Sequence, residues 1–348
     1  MLAPGSANAM LLSTGNNIRH TITSHTTNFN LHAALGSPTA AVNVTVYIPY
    51  GVWVWSTTTG GYAFDEGLLP AGSEVTLMVD GVIAGKGGAG ADATWGTWFP
   101  GIPGYSYDVY TGGFFPGNAG GHALLLRRPT KIGGSGYIAG GGGGGAGHSQ
   151  NQYSCIGGGG GAGGGNGGYG VGGSVSPYPA TICYGGGGAT WPNNNGGVGQ
   201  SQYEATGGPA SWLAGGGGGG GGMWIGGSGG VGTTNYPGVG GSAGGSGSGS
   251  GFGTAYGSPA LGYPGSGGSG IGAGGISYTG DYYNYYWGAA GGGGWGAAGG
   301  AAYQFYPSTS VWALLVNGGA GGYAIVLNGQ ALTWLSGSTV TTMGTVGS

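Results

Sequence analysis

Apolar and polar positions alternate along short stretches near the start of the chain. In Asn43–Ile48, Val44, Val46 and Ile48 fall on one face, and Thr45 and Tyr47 on the other. In Glu74–Val79 the apolar face is Val75, Leu77 and Val79. A period of two is the signature of a half-buried strand. Val52–Ser56, Val82–Ala84 and His122–Arg128 are apolar enough to be further strands, the last extending the apolar layer of Val75, Leu77 and Val79. Asp80-Gly81 predicts a tight turn or type I′ hairpin. Helical spacing occurs in Asn28–Leu35, where Leu31 and Leu35 lie four apart and Asn28 or Asn30 can cap. Near the end, Val311–Val316, Tyr323–Leu327 and Leu332–Leu335 read as strands, and Asn328-Gly329 predicts a C-terminal hairpin.

Between these ends the pattern changes to glycine. Runs such as Gly140–Gly145, Gly157–Gly161, Gly215–Gly222 and Gly291–Gly294 recur, separated by segments rich in Tyr, Trp, Asn, Ser and Thr. The element repeats while the sequences between its copies differ. The expected organisation is a small β domain over 1–84, a glycine-rich domain over 85–322, and a hairpin with a tail over 323–348. The fold class is mostly β and irregular, with almost no α-helix.

Composition decides whether the glycine region is ordered. Gly supplies 101 and Pro 16 of 348 residues, a proportion typical of low-complexity chains. Disorder, however, goes with high charge and few aromatics. Here 4% of residues are charged and 12% aromatic. Glycine is costly to order, so a glycine body must recover that cost by dense backbone hydrogen bonding and close packing. There is no strict Gly-X-Y period, which excludes collagen. The remaining solution is polyglycine II, a left-handed helix of three residues per turn rising ~3.1 Å per residue. An interior helix of such a bundle needs glycine on every face; an edge helix can spare one position per turn.

Net charge is -3, and all five cations (Arg19, Lys86, Arg127, Arg128, Lys131) precede Gly133. Nucleic-acid binding needs phosphate neutralisation by Lys and Arg, so it is excluded as a function class. Met1–Leu12 has no basic segment or long apolar core, and no apolar run is long enough for a membrane-spanning helix. Release in a virion fits such a chain. Cys155 and Cys183 fit either two free thiols or a bridge between neighbouring loops.

Two stretches carry a family resemblance. Pro70-Ala71-Gly72-Ser73, Val75–Leu77 and Gly81-Val82-Ile83-Ala84-Gly85-Lys86-Gly87-Gly88-Ala89-Gly90 resemble the approach to glycine-rich domains in bacteriophage tail-fibre and tail-tip proteins. Gly318-Gly319-Ala320-Gly321-Gly322-Tyr323-Ala324-Ile325, followed by Asn328-Gly329, is similar to the way such chains end. The body is similar in kind to the distal receptor-binding adhesins of T-even-like phages. That resemblance implies a polyglycine II scaffold whose variable loops touch the host surface. It also implies a virion location at the distal end of the tail, extracellular action and attachment to other tail proteins through the N-terminal region. A homotrimer and a single chain capping a fibre both fit. Because such loops vary freely, no receptor-contacting residue carries over.

The residues themselves offer little chemistry. Asp65-Glu66 is the one adjacent acid pair and reads as a solvated turn. His20, His25 and His32 lack zinc-site spacing, and no Gly-Lys-Ser/Thr phosphate loop occurs. No catalytic, cofactor or metal site is expected, and the chain is read as non-enzymatic. The better signal is aromatic, because Tyr and Trp give rigid, amphipathic contact area at low entropy cost. The foremost candidates for receptor contact are Asp281, Tyr282, Tyr283, Tyr285, Tyr286 and Trp287. Trp191, Tyr203, Trp212, Trp95, Trp98, Tyr105 and Tyr107 follow. The expected partner is a bacterial surface polysaccharide or an outer-membrane protein. The alternative is a structural fibre or filament subunit whose loops serve assembly.

Overall fold

The computed structural model describes residues 17–94, 113–151, 154–156, 158–171, 182–184, 187–188, 200–202, 290–306 and 311–347. These form two compact units. The first, the coiled unit, contains residues up to Lys86, Gly121–Gly140 and the stretch from Gly322 onward; the second, the glycine unit, contains Gly87–Gly120 and Gly141–Gly321.

The alternating strands predict sheets, and the coiled unit has three of them, each with five strands. The first face is Asn17–Thr21, Asn43–Ile48, Glu74–Val79, Thr130–Gly134 and Leu332–Trp334. The second is Thr26–Thr27, Trp53–Trp55, Val82–Ala84, Tyr137–Ala139 and Thr341–Met343. The third is Phe29–Asn30, Tyr62–Asp65, His122–Leu125, Ile325–Val326 and Val346–Gly347. Neighbours in every sheet run parallel. The chain visits the faces in the order first, second, third, and repeats this five times among the described residues. The result is a three-sided parallel β-helix. Residues 87–120 lie in the chain between the second and third strands of its third coil, and residues 141–321 at the same place in its fourth.

Parallel stacking in register puts like residues in columns. Val46, Leu77 and Ile132 stack on the first face; Val54, Ile83 and Ile138 on the second; Phe64, Leu124 and Ile325 on the third. All nine are fully buried in one apolar cluster. Trp334 continues the first column into the fifth coil but is 43% exposed, and Val346 continues the third at 38%. Among the described residues the fifth coil thus shows apolar surface at these two positions.

Three sequence expectations change here. The helix is one turn, Leu31–Ala34, with the Asn30 side chain accepting the Ala33 N–H at 3.0 Å. Asn328-Gly329 does form a tight turn: φ is 49° and 73°, and the Gln330 N–H donates to the Leu327 carbonyl at 2.8 Å. It does not make the expected C-terminal hairpin, because Ile325–Val326 pairs within the third face and Leu332–Trp334 within the first. The turn is a corner of the coil. Finally, Asp65-Glu66 is not a solvated turn. Glu66 is fully buried, and its Oε2 accepts the backbone N–H of Arg127 at 2.6 Å and of Arg128 at 2.8 Å.

Candidate functional site

The glycine unit is organised by backbone hydrogen bonds with a period of three. Gly142 and Gly145 donate to Ala162 and Gly159; Gly143 and Ala146 donate to Ala297 and Gly300; Gly144 donates to Asn118. The carbonyls of the same run show the same period. Those of Gly142 and Gly145 accept from Gly88 and Ala91, those of Gly143 and Ala146 from Gly293 and Ala290, and that of Gly144 from Gly319. Three residues per turn place every third peptide on the same neighbour. The run 141–146 thus bonds to six neighbouring segments.

Close approach of these backbones dictates glycine. A Cβ on Gly142, Gly143, Gly144 or Gly145 would overlap a backbone carbonyl, that of Gly293, Gly319, Ala89 and Ala290 respectively. None of these four positions has room for a side chain. Runs with fewer neighbours spare positions: Asn118, Ala119, Asn317 and Ala320 are all exposed.

The pairings also order the two ends of the bundle. Residues 88 and 91 pair with 142 and 145, and 297 and 300 with 143 and 146, so these runs are parallel to 141–146. Residues 162 and 159 pair with 142 and 145, and 293 and 290 with 143 and 146, so those runs are antiparallel to it. One end of the bundle therefore holds residues 87 and 141, together with turns at 162–164 and 295–296. Trp295 is buried in the second of these turns.

Strands gather at the opposite end. The outgoing runs lead into Ala93–Thr94, Gly147–Asn151, Tyr169–Val171 and Ala302–Tyr306. The returning runs at 117, 158 and 318 follow Gly113–Phe115, Ser154–Ile156 and Val311–Val316. These strands pair mostly antiparallel: Gly147–Asn151 with Gly113–Phe115 and with Ser154–Ile156, Ile182–Tyr184 with Tyr169–Val171 and with Gln200–Gln202, and Ala302–Tyr306 with Val311–Val316. One bundle end is closed by tight turns, and the other projects strands.

All thirteen candidate contact residues lie outside the described residues. Their flanks, however, are placed. Trp95, Trp98, Tyr105 and Tyr107 fall between Ala93–Thr94 and Gly113–Phe115; Trp191 falls between Ile182–Tyr184 and Gln200–Gln202. Tyr203, Trp212 and the group from Asp281 to Trp287 fall between Gln200–Gln202 and Ala290, which bonds to Ala146 at 3.1 Å. The spans 95–112 and 203–289 are flanked on both sides by residues at the strand-bearing end, whereas Trp191 follows Gly188, whose N–H donates to the Gly165 carbonyl at 2.7 Å beside the 162–164 turn. Cys155 and Cys183 each sit at the centre of a three-residue strand of this unit.

The titratable groups of the coiled unit are structural. Asp65 makes a two-pronged pair with Arg127 at 2.7 and 3.0 Å, which holds the guanidinium charged. Burial pushes the Glu66 carboxyl above its usual range, against the opposing effect of its bonds from Thr130, Arg127 and Arg128. The Arg128 side chain donates to the carbonyls of Leu69, Pro70 and Arg127. Glu74 pairs with Lys131, and Asp80 accepts from Ser135. Burial lowers the His20 and His122 pKa values; His122 accepts the Tyr323 N–H at 2.9 Å, and its ring lies against those of Tyr62 and Tyr323. Among the described residues no group of three or more His, Cys, Asp or Glu could hold a metal ion.

Among solved structures, the gp37-gp38 adhesin tip complex of the bacteriophage S16 long tail fiber resembles this chain, with 20% identity and a TM-score of 0.41, covering 94% of this chain and 81% of that one. No curated protein matches. The family model described as phage tail fibre adhesin Gp38 matches residues 17–212. That span is more than half of the 348 residues, and the chain belongs to the phage tail fibre adhesin Gp38 family.

Proposed function

We propose that this adhesin is the host-recognition element at the distal end of a tail fibre. In this reading it binds a bacterial surface glycan or outer-membrane protein loop through the spans at the strand-bearing end, and performs no catalysis. One observation carries the reading: tight turns lie at one end of the described glycine bundle, while paired strands and both flanks of the spans 95–112 and 203–289 lie at the other. The three-residue bonding period supports describing the runs as polyglycine II helices. A bundle whose inner positions have no room for side chains is a poor binding surface but a stiff mount, so specificity belongs to what leaves it.

The coiled unit, which includes the N-terminal region, serves as the attachment part. Its fifth coil presents Trp334 and Val346 as apolar surface suited to another tail protein. The carboxylates of this unit are engaged in ion pairs and in holding corners rather than gathered in a cleft, which supports a non-enzymatic role.

The test is competition. Purified full-length protein, added in excess to a susceptible strain, blocks adsorption of the phage that carries it. Unimpeded adsorption, with the protein folded and soluble, contradicts the reading.

A further inference from the structure

Two small sheets of the glycine unit lie face to face. One orders its strands Gly113–Phe115, Gly147–Asn151, Ser154–Ile156; the other orders them Ala93–Thr94, Tyr169–Val171, Ile182–Tyr184, Gln200–Gln202. Ser154–Ile156 comes within 8 Å, Cα to Cα, of Ala93–Thr94, Tyr169–Val171 and Ile182–Tyr184. Those three are successive neighbours in the second sheet, so Ser154–Ile156 crosses its face rather than extending its edge. Gly147–Asn151 likewise comes within 8 Å of Ala93–Thr94 and Tyr169–Val171.

Stacked sheets ordinarily lie about 10 Å apart, and successive residues of a strand fall on opposite faces. Register sorts each sheet into rows accordingly. Gly113, Ser149 and Cys155 form one row of the first sheet; Phe114, His148 and Ile156 form the next, on the other face. In the second sheet Ala93, Gly170, Cys183 and Ser201 form one row, and Thr94, Val171, Ile182 and Gln202 the next. Both cysteines thus belong to rows of small residues. Two such rows facing each other account for backbones closer than the ordinary spacing, whereas rows of Phe, Ile and Val would hold the sheets apart. His148 falls on the opposite face from Cys155, which places it poorly as a base for that thiol or as a fellow metal ligand.

We propose that Cys155 and Cys183 form a disulfide that bridges the two sheets. They are the chain's two cysteines, so no other pairing within the chain competes. A disulfide spans Cα separations of about 4.4 to 6.8 Å, which strands this close can supply. The two thiols give up two protons and two electrons as the S–S bond forms, and dissolved dioxygen takes them to become hydrogen peroxide. Bacterial cytosol keeps thiols reduced, so the bond closes after the virion is released into aerated medium. Span 95–112 leaves the second sheet at Ala93–Thr94 and returns to the first at Gly113–Phe115. The bridge therefore fixes the two feet of that span relative to each other.

The test uses full-length protein from virions in aerated medium, denatured without reductant, alkylated with iodoacetamide and digested. The expected result is no alkylated cysteine and one linked peptide pair holding Cys155 and Cys183, which reductant separates. Reductant also lowers the Tm of the folded wild type by about 5 °C, and leaves that of the double variant Cys155→Ser, Cys183→Ser unchanged. Two alkylated cysteines, a link joining two chains, or equal Tm of the wild type with and without reductant overturns the proposal.

Discussion

Glu66 lies fully buried and holds the Arg127 backbone N–H at 2.6 Å across a corner of the coiled unit, joining two chain positions 61 residues apart. Thr130 sharpens the arrangement. Its single hydroxyl proton faces both Glu66 Oε1 and the Arg128 carbonyl. Burial pushes the Glu66 carboxyl above its usual range against the bonds from Thr130, Arg127 and Arg128, so folding favours its protonated form.

A pH effect of definite sign follows. The folded chain holds the Glu66 proton more tightly than the unfolded chain does. Its contribution to stability is fully present below the ordinary carboxyl value of 4.5 and is lost as pH rises through that value toward the raised one. Glu66→Gln keeps the two amide bonds and can donate to Thr130, so it is nearly neutral at pH 7 and removes this pH dependence. Glu66→Ala leaves the N–H groups of the half-buried Arg127 and Arg128 without this acceptor and costs about 2 kcal/mol. Thermal unfolding from pH 4 to 7, wild type against Glu66→Gln, reads the difference. Parallel curves for the two proteins would contradict the assignment.

Gly144 has no room for a methyl group, because its Cβ would overlap the Ala89 carbonyl. Gly144→Ala must displace backbone and costs about 2 kcal/mol or more. Ala320→Ser, at an exposed position of the same unit, stays within about 0.5 kcal/mol. Calorimetry of the two variants tests whether run 141–146 is interior. Equal stability of both would place it at an edge.

Ile83 sits at the centre of the second-face column, between Val54 and Ile138. Its truncation to Ala costs about 3 kcal/mol through lost burial and the cavity left behind. Lys131→Ala removes only a half-exposed pair with Glu74 and changes stability by less than about 0.5 kcal/mol. Chemical denaturation of the two variants separates core from surface, and a large loss from Lys131→Ala would mean the exposed pair is not a minor contact.

Much of this was legible in the sequence, for local reasons. Val44, Val46 and Ile48 announce their strand by alternation, and the absence of side chains over 141–145 announces an interior run. What was not legible is non-local. Thr130–Gly134 pairs with Leu332–Trp334 across nearly two hundred residues, and nothing in either segment names the other. Asn328-Gly329 has hairpin chemistry and turns as expected, but the strand after it joins a different face because each coil turns three corners. Glu66 reads as an exposed acid because its partners are backbone amides, which no side-chain pattern reveals. The candidate site was legible only as composition: rings between glycine runs. That the described flanks of 95–112 and 203–289 share one end of the bundle comes from the direction of each run, which hydrogen-bond partners set and sequence does not.

The account depends on host choice residing in those spans. The direct measurement exchanges 95–112 and 203–289 for the corresponding spans of an adhesin with a different host, leaving the described runs and the coiled unit unchanged. Adsorption of phage carrying the chimera is then scored on both hosts. The account predicts that adsorption follows the spans to the new host. Adsorption that stays with the original host, with the chimera folded and incorporated, would place recognition elsewhere in the chain.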